Sequence, residues 1–408
     1  MTGFFNVSDL DDVIARVGSF PVTGAEEIPL EAALGRTLAG EIASDVDIPG
    51  FDRATMDGYA VKGADTFGAS DGSPAWLRLA GTVAMGEEPG FVLGQGEAAA
   101  ISTGGMLPDG ADAVVMVEHT DRVDEATIEV YRSVAPGHHV ITRGEDFERG
   151  RGILVPGTLI GPAEAGLLAA AGCTTVAVRK KPRVGIVSTG DEVIPVGQTP
   201  VRGQIRDINT HTLSAMVTEA GGDPLSFGIA GDGEGELEPL LEKALASCDM
   251  VLISGGSSVG MRDRTLSAME RAPESRVLVH GIAISPGKPT ILARIGDKPV
   301  WGLPGHVASA MVVFEVVVRP FLLAATGAPF TARPVVPARL TRNIASAQGR
   351  TDFVRTRLVA EGDGYRAEPL PGKSGLIHTM VHAHGLIRIN RDTEGLYRDA
   401  IVPVRLLP

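Results

Sequence analysis

The sequence predicts a multidomain α/β chain: a parallel-sheet domain joined to a β-rich module, a helical linker domain and a C-terminal β-barrel. Three observations carry this. The chain has 408 residues, and at about 100–200 residues per domain that length predicts two to four domains. Between 183 and 324, short apolar runs alternate with helical stretches, the pattern of strands linked through helices into one sheet. From about 50 to 140, and again after about 328, β-rich runs are separated by Gly and Pro. With 52 Gly and 27 Pro, these regions are built of short strands and many turns.

Residues 8–20 (SDLDDVIARVGSF) open with a potential N-cap, Ser8, and carry apolar residues at helical spacing. They predict a helix, and a second short helix follows over roughly 29–40. The runs WLRLAGTVAMG, EAAAISTGGMLP, DAVVMVEHT and TIEVYRSV then read as a compact all-β module. Segment 141–178 gives a strand or loop and an Ala-rich helix returning toward the start of the chain. Strands are expected at 183–187, 225–230, 250–253 and 299–303, with helices near 208–220, 234–246 and 306–324. In such open sheets, covered by helices on both faces, ligands sit outside the carboxyl ends of the strands. The segment from PFTARPVVPARLTRN to Pro408 reads as a small barrel.

Composition removes several function classes. Against 37 Lys and Arg stand 50 Asp and Glu, a net charge of −13. Such a surface repels duplex phosphate, so nucleic acid is not an expected partner. An anionic small substrate needs a locally positive pocket instead. Two cysteines, Cys173 and Cys248, are too few for a disulfide framework or a Cys-rich zinc site. The N-terminus lacks a basic stretch followed by an apolar one. The most apolar stretch, Ala308 to Val318, carries Glu315 and is too short to span a bilayer. A cytoplasmic protein without membrane insertion is expected.

The strand-end loops hold the candidate chemistry. Ser188-Thr189-Gly190-Asp191-Glu192 suits an anion or magnesium site, or a turn and helix cap. Asp232, in Gly231-Asp232-Gly233, is a metal ligand or a helix cap. Ser254-Gly255-Gly256-Ser257-Ser258-Val259-Gly260, followed by Asp263, is the strongest phosphate-loop candidate, because small residues let backbone N–H groups approach an anion. It lacks the Lys of a Walker loop. Ser285-Pro286-Gly287-Lys288-Pro289 places a cation beside a tight turn, and Leu303-Pro304-Gly305-His306 leads into a helix. Together these loops point to a polyanion and magnesium site. His378, His382 and His384 have no accompanying carboxylate and read as surface or packing residues.

The assembled motifs resemble the MoeA and gephyrin E-domain family, the molybdopterin molybdenumtransferases, along nearly the whole chain. The residues that carry the resemblance are PGFDRATMDGYAV (49–61), STGG (102–105), RGEDF (143–147), PRVGIVSTGDE (182–192), GQIRDIN (203–209), SGGSSVG (254–260) with Asp263, PGKP (286–289), LPG (303–305) and GRTDFVR (349–355). The resemblance implies an elongated four-domain subunit in a homodimer. Its linker and dimerisation domain takes 1–28, 46–52 and 141–178, and its β-rich module 53–140. The α/β molybdopterin-binding domain takes 29–45 and 179–327, and the barrel 328–408. The implied reaction cleaves adenylylated molybdopterin, releases AMP and inserts molybdenum from molybdate, with Mg2+ assisting. A molybdopterin-adenylylating protein is the implied upstream partner.

By the same resemblance, Asp57, Thr103, Asp146, Glu192, Asp232 and Asp263 are catalytic, with Glu192, Asp232 and Asp263 as metal ligands. Asp57, Thr103 and Asp146 are reached across the dimer cleft. Thr189, Gly190, Asp191, Ser254, Gly255, Gly256, Ser258, Lys288 and Pro304 bind substrate. Arg350, Arg355 and Ser374 join them from the barrel.

The sequence also departs from the family. Ser285 and Gly281 stand where lysines are usual, His306 and Val307 replace Asn and Pro, and Ile141 replaces a common arginine. A charge-assisted contact is worth roughly 1.5–3 kcal/mol, so two missing cations weaken binding by orders of magnitude. That erosion raises an alternative, a gephyrin-like scaffold holding a short peptide of a membrane receptor or a tubulin-like cytoskeletal protein.

Overall fold

The computed structural model describes residues 7–255, 259–329 and 332–408, with 259–263 described by backbone alone. The chain opens with a short helix, Leu10–Ile14, capped by Asp9, whose carboxylate accepts from Asp11 N at 3.0 Å. One 3-10 turn, Val17–Ser19, follows. The single helix predicted over 8–20 is therefore cut short. Ser8 is not its cap, because its backbone is taken up by Gly281 and Ala283. Leu10 and Val13 are buried in the α/β core, so this segment packs there rather than with a linker domain.

The linker domain forms where Ala25–Pro29 pairs antiparallel with Thr175–Arg179, and Ile42–Ala43 with Gly152–Leu154. The helix Pro162–Ala170 starts on a proline, and Glu164 accepts from Gly161 N at 2.9 Å. Ala33, Leu38, Ile160, Leu168 and Val178 close its small core. Two expectations fail here. The helix predicted over 29–40 is one turn, Leu30–Ala32, because Gly35 reverses the chain at a φ of 74°. Residues 29–45, predicted in the α/β domain, pack against 152–178 instead, since Leu38 and Ile42 join that core.

The β-rich module is a six-stranded sheet around Gly58–Val61 and Glu97–Ile101. One core packs on each face, with Ala60, Ile101 and Val114 on one side and Val61, Val115 and Ile128 on the other. Gly58 is required by close approach: a Cβ there lies 1.9 Å from the Val115 carbonyl oxygen.

The α/β domain holds the four predicted strands, observed as Asp223–Ala230, Arg183–Thr189, Met250–Ser254 and Lys298–Leu303, in that spatial order and all parallel. Two antiparallel strands not foreseen, Ile291–Ile295 and Ser275–His280, extend the sheet beyond Lys298–Leu303. The helices Asn209–Glu219 and Val307–Ala325 cover one face, with Leu213, Val217, Ala308 and Val312 in the core. Glu238–Ser247 and Val259–Arg271 cover the other, through Leu241, Ala244, Ala268 and Met269. This burial on both faces is why the parallel strands read as continuous apolar runs.

The Val307–Ala325 helix is longer than the apolar stretch noted in the sequence. Its 19 residues are long and apolar enough to cross a membrane, yet 78% of its most apolar window is buried inside the protein. Phe321 meets Trp301 edge-on at 4.9 Å. Glu315 sits in a π-helical turn, Phe314–Val318, and is buried against the guanidinium of Arg333 at 3.0 Å. Arg333 also donates twice to Glu219, at 2.9 and 2.7 Å. These bonds, from Glu219 first and Glu315 next, push the Arg333 pKa above its usual value.

The predicted barrel closes from five strands. Thr351–Glu361, Gly364–Pro369, Val335–Leu340, Ile401–Leu406 and Gly385–Ile389 follow one another, and the last pairs back onto the first. Its core is Leu340, Ala367, Ile387, Ile389 and Val404. Two residues of the α/β domain, Ile284 and Ser285, pair in parallel with Thr351 and Asp352, so the barrel is stitched to the sheet domain by main-chain hydrogen bonds.

Arg333→Ala leaves the buried Glu315 carboxylate without its guanidinium. A loss of roughly 3–5 kcal/mol is expected, read as a fall in the urea midpoint followed by tryptophan fluorescence. A loss below about 1 kcal/mol would mean that Glu315 is already satisfied by other groups.

Candidate active site

Because the four strands run parallel, their carboxyl ends share one edge, and the loops after them form a rim. Gly190 and Gly255 both take a φ of 137°. A Cβ on Gly255 lies 2.4 Å from the Thr189 carbonyl oxygen, so the two loops meet main chain to main chain. Asp191 Oδ1 accepts from Asp232 N at 2.7 Å, and Glu236 Oε2 accepts from Gly231 N at 3.0 Å. Asp191 thus locks one loop to the next.

These loops border a cavity of about 490 Å³ lined by Thr189, Glu192, Asp207, Asn209, Asp232 and Ser254, among others. The helix Asn209–Glu219 begins at its wall. Asp207 Oδ1 caps that helix at Thr210 N, 3.0 Å, and also accepts from Ser188 Oγ at 2.9 Å. Asn209 spends both its amide hydrogens within the rim, on Ser254 Oγ at 2.7 Å and on the Gly305 carbonyl at 2.8 Å. Among the described residues, three buried polar atoms lining the cavity find no partner: Thr189 Oγ1, Asn209 Oδ1 and Asp232 Oδ1. Buried oxygens are ordinarily satisfied, so a rim with three left over is shaped for a bound group.

Burial is the main influence on Asp232 and raises its pKa. A hydrogen bond from the Asp191 main chain opposes the rise, and the charges of Asp191 and Glu192 add to it. The orphaned atoms are all hard oxygen donors, the type magnesium takes. Among the described residues, no three His, Cys, Asp or Glu side chains form a metal cage. Magnesium commonly uses one or two carboxylates together with substrate phosphate, so Glu192 and Asp232 fit it. Gly256, Ser258 and the Asp263 side chain lie outside the described residues.

A second cavity, of about 860 Å³, lies between the rim and the barrel. Lys288, Arg350 and Arg355 line it against one carboxylate, Asp352. Arg350 Nε stands 2.8 Å from Asp352 and is half-exposed. Arg355, which lines this cavity, is also tied to the barrel's own chain. It donates to Thr379 Oγ1 at 2.6 Å and to the Gly372 carbonyl at 2.7 Å, bracing the loop that carries Ser374. Burial pulls its pKa below the usual arginine value. Ser374 Oγ lies 2.7 Å from His306 Nδ1, and its carbonyl accepts from Ala308 N at 3.0 Å. Pro304 and Ser285 also line this cavity.

The three remaining predicted residues lie apart. Asp57 Oδ1 accepts from Thr103 N at 2.7 Å and from Thr103 Oγ1 at 3.0 Å, and these bonds hold the Asp57 carboxyl below its usual pKa. Asp146 is exposed on a nearby turn, where its N–H donates to Ile48. Asp57 and Thr103 share one end of the β-rich module, Asp146 lies in the segment that bridges Ile48 to Phe147, and none of the three lines either cavity.

Comparison with known proteins gives this arrangement a family. Residues 8–172 match the MoeA N-terminal region (domain I and II), 185–324 a probable molybdopterin binding domain, and 337–407 the MoeA C-terminal region (domain IV). A putative molybdopterin biosynthesis protein of Methanocaldococcus jannaschii is 36% identical, over 94% of this chain and 92% of its own. The chain belongs to the MoeA family of molybdopterin molybdenumtransferases. Molybdopterin molybdenumtransferase 2 of Mycobacterium tuberculosis is 34% identical over 90% of this chain and 91% of its own. A crystal structure of the molybdopterin biosynthesis MoeA protein of Pyrococcus horikoshii superposes with a TM-score of 0.81 at 42% identity, covering 98% of this chain and 99% of that one. These relatives favour a MoeA-type transferase over the peptide-holding scaffold.

Several residues of this MoeA-family site were not among those the sequence singled out. Asp207 and Asn209 lie in the GQIRDIN segment, but Asp or Asn before a helix reads first as a cap. Asp207 is indeed one, and only the fold reveals that Asn209 faces the rim. His384, by contrast, bonds the Leu358 backbone at 3.1 Å, a packing role.

The raised pKa of Asp232 has a signed consequence. An unfolded Asp titrates near 3.8, so above that value the fold penalises the charged form and ionised Asp232 costs stability. Asp232→Asn removes the penalty: the ligand-free variant should melt above wild type at pH 7, with the gap closing as pH falls toward 3.8. Thermal melts across pH test this, and a variant that melts lower at pH 7 would refute it.

Proposed function

We propose that this chain inserts molybdenum from molybdate into adenylylated molybdopterin and releases AMP, acting as a cytoplasmic homodimer with Mg2+. The observation that carries the reading is the pairing of two adjoining cavities. One is rimmed by glycine loops and orphaned oxygens; the other is walled by Lys288, Arg350 and Ser374. Glycine loops at strand ends bring backbone N–H groups to phosphate. A cationic wall on a protein of net charge −13 favours an oxyanion locally.

In this reading the rim holds the phosphate and adenylate of the pterin substrate, with Thr189, Ser254 and Gly255 against it. Glu192 and Asp232 hold Mg2+, which when bound offsets charge on the cleaved phosphoanhydride. Molybdate sits in the larger cavity with Lys288 and Arg350. Arg355 positions the Ser374 loop rather than touching substrate. Asp57, Thr103 and Asp146, remote from the rim in their own subunit, serve the site of a second copy. The adenylylated substrate comes from a molybdopterin-adenylylating protein.

Purified protein given adenylylated molybdopterin and Mg2+ should release AMP, faster when molybdate is added. Folded protein that releases none, with or without molybdate, would overturn the reading. Ser285 offers a second test. Ser285→Lys adds a cation to the molybdate cavity, and a charge-assisted contact of roughly 1.5–3 kcal/mol predicts a molybdate KM roughly ten- to a hundred-fold lower. An unchanged KM would mean that a charge at 285 does not reach the oxyanion.

A further inference from the structure

We propose that His306 is a positioning residue that donates from Nδ1 to Ser374 and so turns the Ser374 hydroxyl toward an oxyanion in the larger cavity. The inference rests on the reading above, in which that cavity takes molybdate.

Of the described residues, His306 alone lines both cavities. It ends the Pro304-Gly305-His306 turn after strand Lys298–Leu303, directly before the helix that starts at Val307. Its Nδ1 is 2.7 Å from Ser374 Oγ. A serine hydroxyl has one proton. If Nδ1 carries no hydrogen, it accepts that proton, and Ser374 shows the cavity only lone pairs, which repel an anion. If Nδ1 carries the hydrogen, it donates to Ser374 Oγ, and the hydroxyl proton is free to bond an oxyanion. Only the second arrangement adds a hydroxyl donor for an oxyanion held by the cationic wall. The Nδ1–H tautomer suffices, so the imidazole need carry no net charge.

The loop does not need the imidazole to stay in place. Ala308 N donates to the Ser374 carbonyl at 3.0 Å, and Arg355 holds the Gly372 carbonyl at 2.7 Å. The imidazole is therefore spare to the architecture and available to set the direction of one hydroxyl. A side chain that can offer an N–H at the same place should substitute for it.

The test is calorimetric titration of the whole protein with molybdate alone, for wild type, His306→Ala, His306→Asn, Ser374→Ala and the double alanine variant. Ser374→Ala should weaken binding about ten-fold, His306→Ala by more than about three-fold but no more than Ser374→Ala, since the hydroxyl keeps its proton and loses its orientation, and the double variant no further than Ser374→Ala. His306→Asn should stay within about three-fold of wild type, since its amide can donate to Ser374. Melting temperatures should not move. Wild-type affinity in His306→Ala, or losses that multiply in the double variant, would overturn the inference and leave the molybdate reading standing. Wild-type protein that binds no molybdate would overturn both.

Discussion

The parallel register of four strands is the constraint on which the rest depends. Ser188 lies level with Ser254, and Ser254 with Leu303, across three adjacent strands. That alignment brings the loops after each strand to one height, where Gly255 can touch Thr189 and Asp191 can reach Asp232. A one-residue slip in any strand would turn its apolar residues from one core to the other and move its loop off the rim. The two hydrophobic cores that grip the sheet from either face therefore fix the site as well as the fold. Ile253 and Leu252, neighbours in sequence, belong to opposite cores.

The second constraint is the stitch between the sheet domain and the barrel. Pairing of Ile284 and Ser285 with Thr351 and Asp352 makes one wall of the larger cavity from two domains. Lys288 arrives from one side of the stitch, Arg350 and Arg355 from the other. An acidic chain can gather a cationic pocket in this way without a run of basic residues in its sequence. The buried Glu315–Arg333–Glu219 cluster reinforces the junction, since Arg333 lies on the approach to the first barrel strand and both of its partners lie on helices of the sheet domain.

Much of this was legible in the sequence. The four parallel strands announce themselves as apolar runs because both faces are buried, and the glycine loops after them mark the rim. The antiparallel strands Ser275–His280 and Ile291–Ile295 were not legible, because they flank a loop that itself reads as rim. The domain of the 29–45 segment is not legible in the sequence, because it is decided by which core Leu38 enters, and periodicity carries no such information. Arg355 shows the same limit for function. A motif can place an arginine at a site, but only its donors to Thr379 and Gly372 reveal that it holds a loop.

The rim of the free protein carries a standing cost that the substrate can remove. A buried polar atom without a partner costs about 1–3 kcal/mol, and Thr189 Oγ1, Asn209 Oδ1 and Asp232 Oδ1 gather at one cavity. Asp232 adds the penalty of a partly buried carboxylate beside two others. Filling all three sites with apolar or amide groups would make a more stable sheet edge and a poorer receptor for phosphate and metal. The glycines at 190 and 255 belong to the same trade. They weaken the local backbone and let the rim close tightly, Gly255 against Thr189 and Gly190 against the Glu192 side chain. Stability has been given up at the one edge where four strand ends converge, and the cores on either face of the sheet are large enough to carry it.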